Sequence, residues 1–176
     1  VNIELTKSSL DKDGRKTAFD DEQVVVPGQT VDEIVEVNNL ANDAWIRMKV
    51  TFDDSDIKGL DDSLLSISDN WIKRGEYYYY TKPVDRGDSA EFMENVKIPT
   101  TWDESLSDQK MELHFTADAV QIKNFTPDFD SEDPWFGTVI EKSITDEYII
   151  PEEKHDLFSV SYEGGAEGLV KVGEDF

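Results

Sequence analysis

Residues 71–102, WIKRGEYYYYTKPVDRGDSAEFMENVKIPTTW, decide how the rest of the chain is read. Tyr77–Tyr80 cannot form one face of a helix, because an unbroken aromatic run has no 3.6-residue period. Aromatic side chains favour strands, so the run predicts a strand ending near Thr81. Pro83 interrupts it, and Arg86-Gly87-Asp88-Ser89 predicts a turn. Ala90, Phe92, Val96 and Ile98 then fall on one side of a second strand, with Glu94 as the exception in that row. Pro99 ends the strand, since proline cannot donate to a ladder. The unit is two strands joined by a turning connection, with aromatics on at least one face. It needs no catalytic motif to explain it.

Working back from this unit, the clearest alternation lies over 44–53. Ala44, Ile46, Met48, Val50 and Phe52 point one way; Trp45, Arg47, Lys49, Thr51 and Asp53 point the other. Leu60, Leu64, Leu65 and Ile67 predict a short helix or an irregular packed loop before Trp71. Val31, Val35 and Val37 share a strand face after the Pro27-Gly28 turn, and Asn38-Asn39 begins another turn. Residues 11–22 are polar with a turn at Gly14. Val1, Ile3 and Leu5 alternate with polar residues, giving a short half-buried first strand.

Working forward, TTWDESLSDQ at 100–109 predicts a brief helical turn. Met111, Leu113, Phe115, Ala117 and Ala119 make another long half-buried strand, with Glu112, His114, Thr116 and Asp118 outward. Residues 124–137, NFTPDFDSEDPWFG, read as an acidic loop. Phe158, Val160 and Tyr162 alternate once more, Gly164-Gly165 breaks the run, and Leu169–Val172 can pair back as a hairpin. No long amphipathic helix interrupts the series. Short strands with one apolar face predict an all-β antiparallel sandwich over 1–152, with short helical or irregular insertions. Residues 153–176 form a C-terminal hairpin or the start of a following domain. A faint internal echo accompanies this: Gly28-Gln29-Thr30 and Gly87-Asp88-Ser89 each lead into a strand, with Val37 and Val96 nine residues past the glycine.

With 40 acidic residues against 17 basic ones, the formal net charge is −23. Such a surface repels nucleic acid and anionic lipid, so neither is expected as a partner. No apolar run approaches the length of a membrane span. The absence of cysteine excludes disulfides, thiolate catalysis and thiolate metal sites. A start at Val1 rather than Met points to a processed or cut chain, with any export signal removed upstream.

Candidate chemistry is sparse. His114 sits among outward strand residues and His155 in the acidic PEEKHD segment; both read as surface histidines. No HExxH pair, G-x-S-x-G elbow or Gly-rich phosphate loop is present. No catalytic or metal-ligating residue is therefore assigned, and no cofactor is expected. Asp11/Asp13, Asp53/Asp54/Asp56 and Asp128/Asp130/Asp133 are the clusters that calcium would use, but none has the full ligand spacing, and solvated turns explain them. Tyr77–Tyr80 reads as core on one side and sheet surface on the other, in preference to a sugar-stacking platform.

Three segments together resemble a known family. VVVPGQTVDEIVEVNNLANDAWIRMKVTF carries a Pro-Gly turn, Asn38, and a strand with Arg47 to Val50. EYYYYTKPVDRGDSAEFMENVKIP carries tyrosines, a turn glycine and an Ile-Pro end. ELHFTADAVQIKNF carries Ala119 to Gln121. Their order and spacing, from Val24 to about Phe125, resemble the TasA/camelysin family of secreted biofilm-matrix proteins, with the clostridial BsaA-like members nearest in flavour. The resemblance implies a jelly-roll-like sandwich. It implies export through a SipW-type signal peptidase to the matrix or surface of a Gram-positive bacterium. It also implies pilin-like assembly into fibres by donor-strand complementation. On that basis the expected function is a non-enzymatic fibre subunit. Its partners are copies of itself and other matrix components, and Val1, Ile3 and Leu5 are the candidate subunit-docking strand. A monomeric adhesin or carbohydrate-binding module, using the Tyr77–Tyr80 face or the Trp135 loop, is the alternative. The metalloprotease activity attached to some camelysin relatives finds no ligand motif here.

Overall fold

Strict alternation at 44–53 and 110–121 builds the centre of the molecule. In the computed structural model, which describes residues 2–19, 22–53, 61–102, 110–138, 140–145, 158–163 and 169–172, these segments are β5 (Ala44–Asp53) and β10 (Lys110–Gln121). They pair antiparallel along the whole of β5, from Ala44 with Gln121 to Asp53 with Glu112. Ala44, Ile46, Met48, Leu113, Phe115, Ala117 and Ala119 are all fully buried on the shared inner face.

The remaining strands are β1 (Ile3–Leu10), β2 (Lys16–Ala18), β3 (Glu22–Val25), β4 (Thr30–Asn39), β6 (Leu65–Ile67), β7 (Trp71–Arg74), β8 (Tyr77–Tyr80), β9 (Ser89–Lys97), β11 (Lys142–Thr145), β12 (Phe158–Glu163) and β13 (Leu169–Val172). One sheet runs β2-β1-β4-β9-β6; the other runs β3-β13-β12-β10-β5-β8-β7, with β11 also on β10. Successive strands from β4 to β10 cross between the sheets, apart from the β7–β8 hairpin. The fold is an all-β sandwich of two packed sheets. Most pairings are antiparallel, while β10–β12 and β13–β3 are parallel. The β12–β13 hairpin lies within the second sheet, between β10 and β3.

Phe92 joins the two layers. It is fully buried, and its ring meets Trp71, Tyr78 and Phe115 at centroid distances of 5.1, 5.3 and 6.5 Å. Burying such a side chain contributes roughly 1.5–3 kcal/mol, with about 0.5–1.5 kcal/mol for each well-placed ring pair.

The exception at Glu94 has a structural cause. β4 and β9 pair with two register shifts, between Asp32 and Val35 and between Val35 and Glu36. In the first interval β4 carries one extra residue; in the second β9 does. The first shift turns Met93 inward, fully buried, and leaves Glu94 exposed. The two shifts cancel, so both ends of the ladder keep one register. Each end also closes in the same way. The Gly28 N–H donates to Ile98 O and the Ile98 N–H to Gln29 O; the Gly87 N–H donates to Asn39 O and the Asn39 N–H to Asp88 O. Gly28 and Gly87 have φ of 80° and 84°, a region that favours glycine. The faint sequence echo is thus a local two-fold of the β4–β9 pair.

Other segments depart from the sequence expectation. The first strand extends to Leu10, because β4 partners it as far as Ser8 and β2 carries the pairing on to Leu10. The polar stretch after it contains β2, which pairs back on Ser8–Leu10, and Phe19, which is buried. Leu64 closes a 3-10 turn, Asp62–Leu64, whose first amides are capped by Asp61, and Leu65 starts β6. Asn39 lies inside β4 rather than in a turn: it is fully buried, and its amide donates to Asn42 O and Val84 O at 2.8 Å each. The 100–109 helical turn falls mostly outside the described residues, as do Val1, His155 and Gly164-Gly165.

Candidate functional site

Two places stand out, a strand edge left unpaired among the described residues and a buried cation. The edge belongs to β1. Ile3 is 3% exposed in the common core and Leu5 packs against it, so one face of the strand closes the sandwich. β4 pairs with β1 from Ile3 to Ser8. On the other side β2 reaches only Ser8–Leu10. Among the described residues no strand pairs with Ile3–Thr6 on that side. Unpaired ladder groups on an edge accept an added strand.

The buried cation is Arg47. At Trp45 and Arg47 the outward side of β5 is not open to solvent: residues 122–138 strap across it. Trp135, 1% exposed, packs there with Tyr79 and Val120, and Trp45, Tyr77, Phe125 and Phe129 close around them. The strap is closed on itself and tied at its middle to β7. The Asp128 N–H donates to Pro134 O at 3.0 Å, and Arg74 on β7 donates from Nε and Nη2 to Phe129 O at 3.1 and 2.8 Å.

Arg47 lies beneath this strap with a side chain 14% exposed. Its Nε donates to Asp118 Oδ2 at 2.8 Å and its Nη1 to Tyr79 Oη at 3.2 Å. The guanidinium carbon sits 3.8 Å from the Tyr77 ring centre and 4.8 Å from that of Trp135. Ser143 Oγ on β11 donates to the other Asp118 oxygen at 2.6 Å. Burial pushes the guanidinium pKa down, but the hydrogen bonds to Asp118 and Tyr79 outweigh it and hold it above the ordinary arginine value. Burial raises the Tyr79 phenol, and the Arg47 charge only partly opposes that.

No protein-family model, curated protein or solved structure matches this chain.

The geometry of Arg47 is that of a tie, with its charge spent on protein groups. Tyr78 and Tyr80 face the main core while Tyr77 and Tyr79 lie under the strap, so the tyrosine run is covered on both faces. Trp135 presents no ring face to solvent; Phe136 beside it is 59% exposed. Asp11 Oδ1 accepts from the Asp13 and Arg15 amides, and Asp128 Oδ1 from the Asp130 amide, as in solvated turns. Asp54 and Asp56 lie outside the described residues. Among the described residues no three His, Cys, Asp or Glu side chains gather closely enough to hold a metal ion. None of the described helices is long and apolar enough to cross a membrane.

Proposed function

We propose that the chain is a non-enzymatic structural subunit of an extracellular fibre in the matrix or on the surface of a Gram-positive bacterium. Subunits join by strand exchange at β1. One observation carries the reading: β1 contributes Ile3 to the core, yet among the described strands the ladder of Ile3–Thr6 is with β4 alone. A strand whose main ladder is with a partner distant in sequence can dock on its own sheet or on that of a neighbouring copy. The segments that resemble the TasA/camelysin family support the same reading.

Electron microscopy of the secreted protein tests assembly: ordered filaments support it, and persistent monomers end it. A cysteine pair then tests the linkage. Leu5 and Val37 are register partners on β1 and β4, and the chain has no cysteine of its own. Oxidised Leu5→Cys/Val37→Cys filaments should run as a covalent ladder on a non-reducing gel if β1 is exchanged. Cross-linked monomers alone, from intact filaments, would show that β1 stays at home.

A further inference from the structure

A cavity of about 360 Å³ opens at the end of the second sheet where β5 begins and β10 finishes. Asn42, Asp43, Arg86, Gln121, Ile122 and Lys123 line it. Its walls come from three chain segments that are locked to one another. Ala44 and Gln121 are ladder partners. Ala44 and Val84 exchange backbone hydrogen bonds of 3.1 and 2.8 Å. The Arg86 N–H donates to Asp43 Oδ1 at 3.0 Å, and the buried Asn39 amide bridges Asn42 O and Val84 O. The cavity is therefore preformed, and its volume falls in the range of small-molecule sites.

Its chemistry selects a ligand with two kinds of group. Arg86 and Lys123 are cations, and neither makes an ion pair with a described residue, in a chain of net charge −23. An arginine fork beside an ammonium matches a carboxylate. The Asn42 and Gln121 amides and the Asp43 carboxylate ask for hydroxyl groups, which both donate and accept. Ile122 supplies a small apolar wall. The field of the whole chain repels free anions at long range, so an anion stays only where contacts of this kind hold it.

We propose that this cavity binds a hydroxylated carboxylate of the hexuronic acid class. The carboxylate meets Arg86 and Lys123, and the hydroxyls meet Asn42, Gln121 and Asp43. The site is separate from β1 and does not depend on fibre assembly.

Titration of the full chain with D-glucuronate, followed by amide NMR, tests it. Saturable shifts confined to the neighbourhood of Asp43, Arg86, Gln121 and Lys123 are expected. Glucose tests the need for the carboxylate, and glutarate tests the need for hydroxyls. Lys123→Gln, at an exposed position, should weaken glucuronate binding about tenfold, as loss of one charged hydrogen bond does, without changing the circular dichroism. Arg86→Gln should weaken it at least as much. An oligo-uronide that binds more tightly than the monosaccharide assigns the ligand to a polymer; equal affinity assigns it to the free sugar. Equal binding of glutarate would reduce the site to a general anion patch and overturn the proposal. So would equal binding of glucose, unaltered affinity in Lys123→Gln, or no saturable shift at tens of millimolar sugar.

Discussion

Replacing Asp118 by alanine removes the charge partner of Arg47 while leaving the strap and its aromatic residues in place. The two side chains are 14% and 6% exposed, so solvent screens the pair little. Breaking a fully buried pair from one side costs about 3–5 kcal/mol, because a charge is left uncompensated. Here the faces of Tyr77 and Trp135 remain beside the guanidinium, and each returns on the order of 1 kcal/mol. The expected net loss is about 1–3 kcal/mol. For a chain of this length that lowers Tm by roughly 2–12 °C. Calorimetry of the parent, Asp118→Ala, Arg47→Met and the double variant gives the answer. The double variant should cost no more than the worse single, since it removes both the charge and its partner. Lys16→Ala is the control: Lys16 is 54% exposed in its pair with Glu36, and such a pair contributes about 0–1 kcal/mol. If Asp118→Ala costs as little as Lys16→Ala, or if the two single losses simply add, the strap is held by ring packing and not by the ion pair.

Three further outcomes are expected. Gly28→Ala and Gly87→Ala should each cost about 1–2 kcal/mol for a left-handed backbone. Gly28→Ala should cost more, because its Cβ would lie 3.2 Å from Thr100 Cγ2 while that of Gly87 meets nothing within 4 Å; reversed denaturation midpoints would contradict this. Burial raises the phenol pKa of both Tyr78 and Tyr79; for Tyr78 a hydrogen bond to Asp62 adds to the shift. Their contribution is therefore complete below the unfolded phenol value of about 10 and is lost as pH rises through the higher folded values. Urea midpoints should hold at neutral pH and fall at alkaline pH, with late phenolate absorbance; an increase in stability above pH 10 would be the wrong sign. Finally, a net charge of −23 opposes association, so mild acid or added salt should increase light scattering at fixed concentration. Scattering that is equal across the series would count against electrostatic control.

The sandwich was legible wherever one face met the core and the other met water or something thin. β5 and β10 follow that rule, and their alternation placed them, while the tyrosine strand was placed by its aromatic run. The rule misleads at Trp45 and Arg47, which alternate as solvent residues do but lie beneath a strap. Composition hides the strap, because Asp128, Asp130, Glu132 and Asp133 make it read as a solvated loop. Phe125, Phe129, Trp135 and Phe136 were the available signal: so many large rings in one loop need a surface to cover. The partner of Arg47 was also hidden, since Asp118 lies 71 positions away and the two meet only through the β5–β10 register. The cavity at Asn42 and Lys123 is hidden for the same reason, being built from three distant turns.

The cancelling shifts in the β4–β9 ladder bear on how these strands tolerate changes in length. Both ends are clasped, so a residue lost from one strand cannot be absorbed by fraying. Deleting one residue between Asp32 and Val35 would erase the first shift and leave the second uncompensated. Every pair toward one end would then be displaced by a step, and either the Gly28 or the Gly87 clasp would have to open. Deleting Phe92 as well would restore the count, although it would empty the centre of the core. Insertions and deletions in these two strands should therefore survive only as matched pairs, one in each strand, like opposite dislocations that meet and vanish.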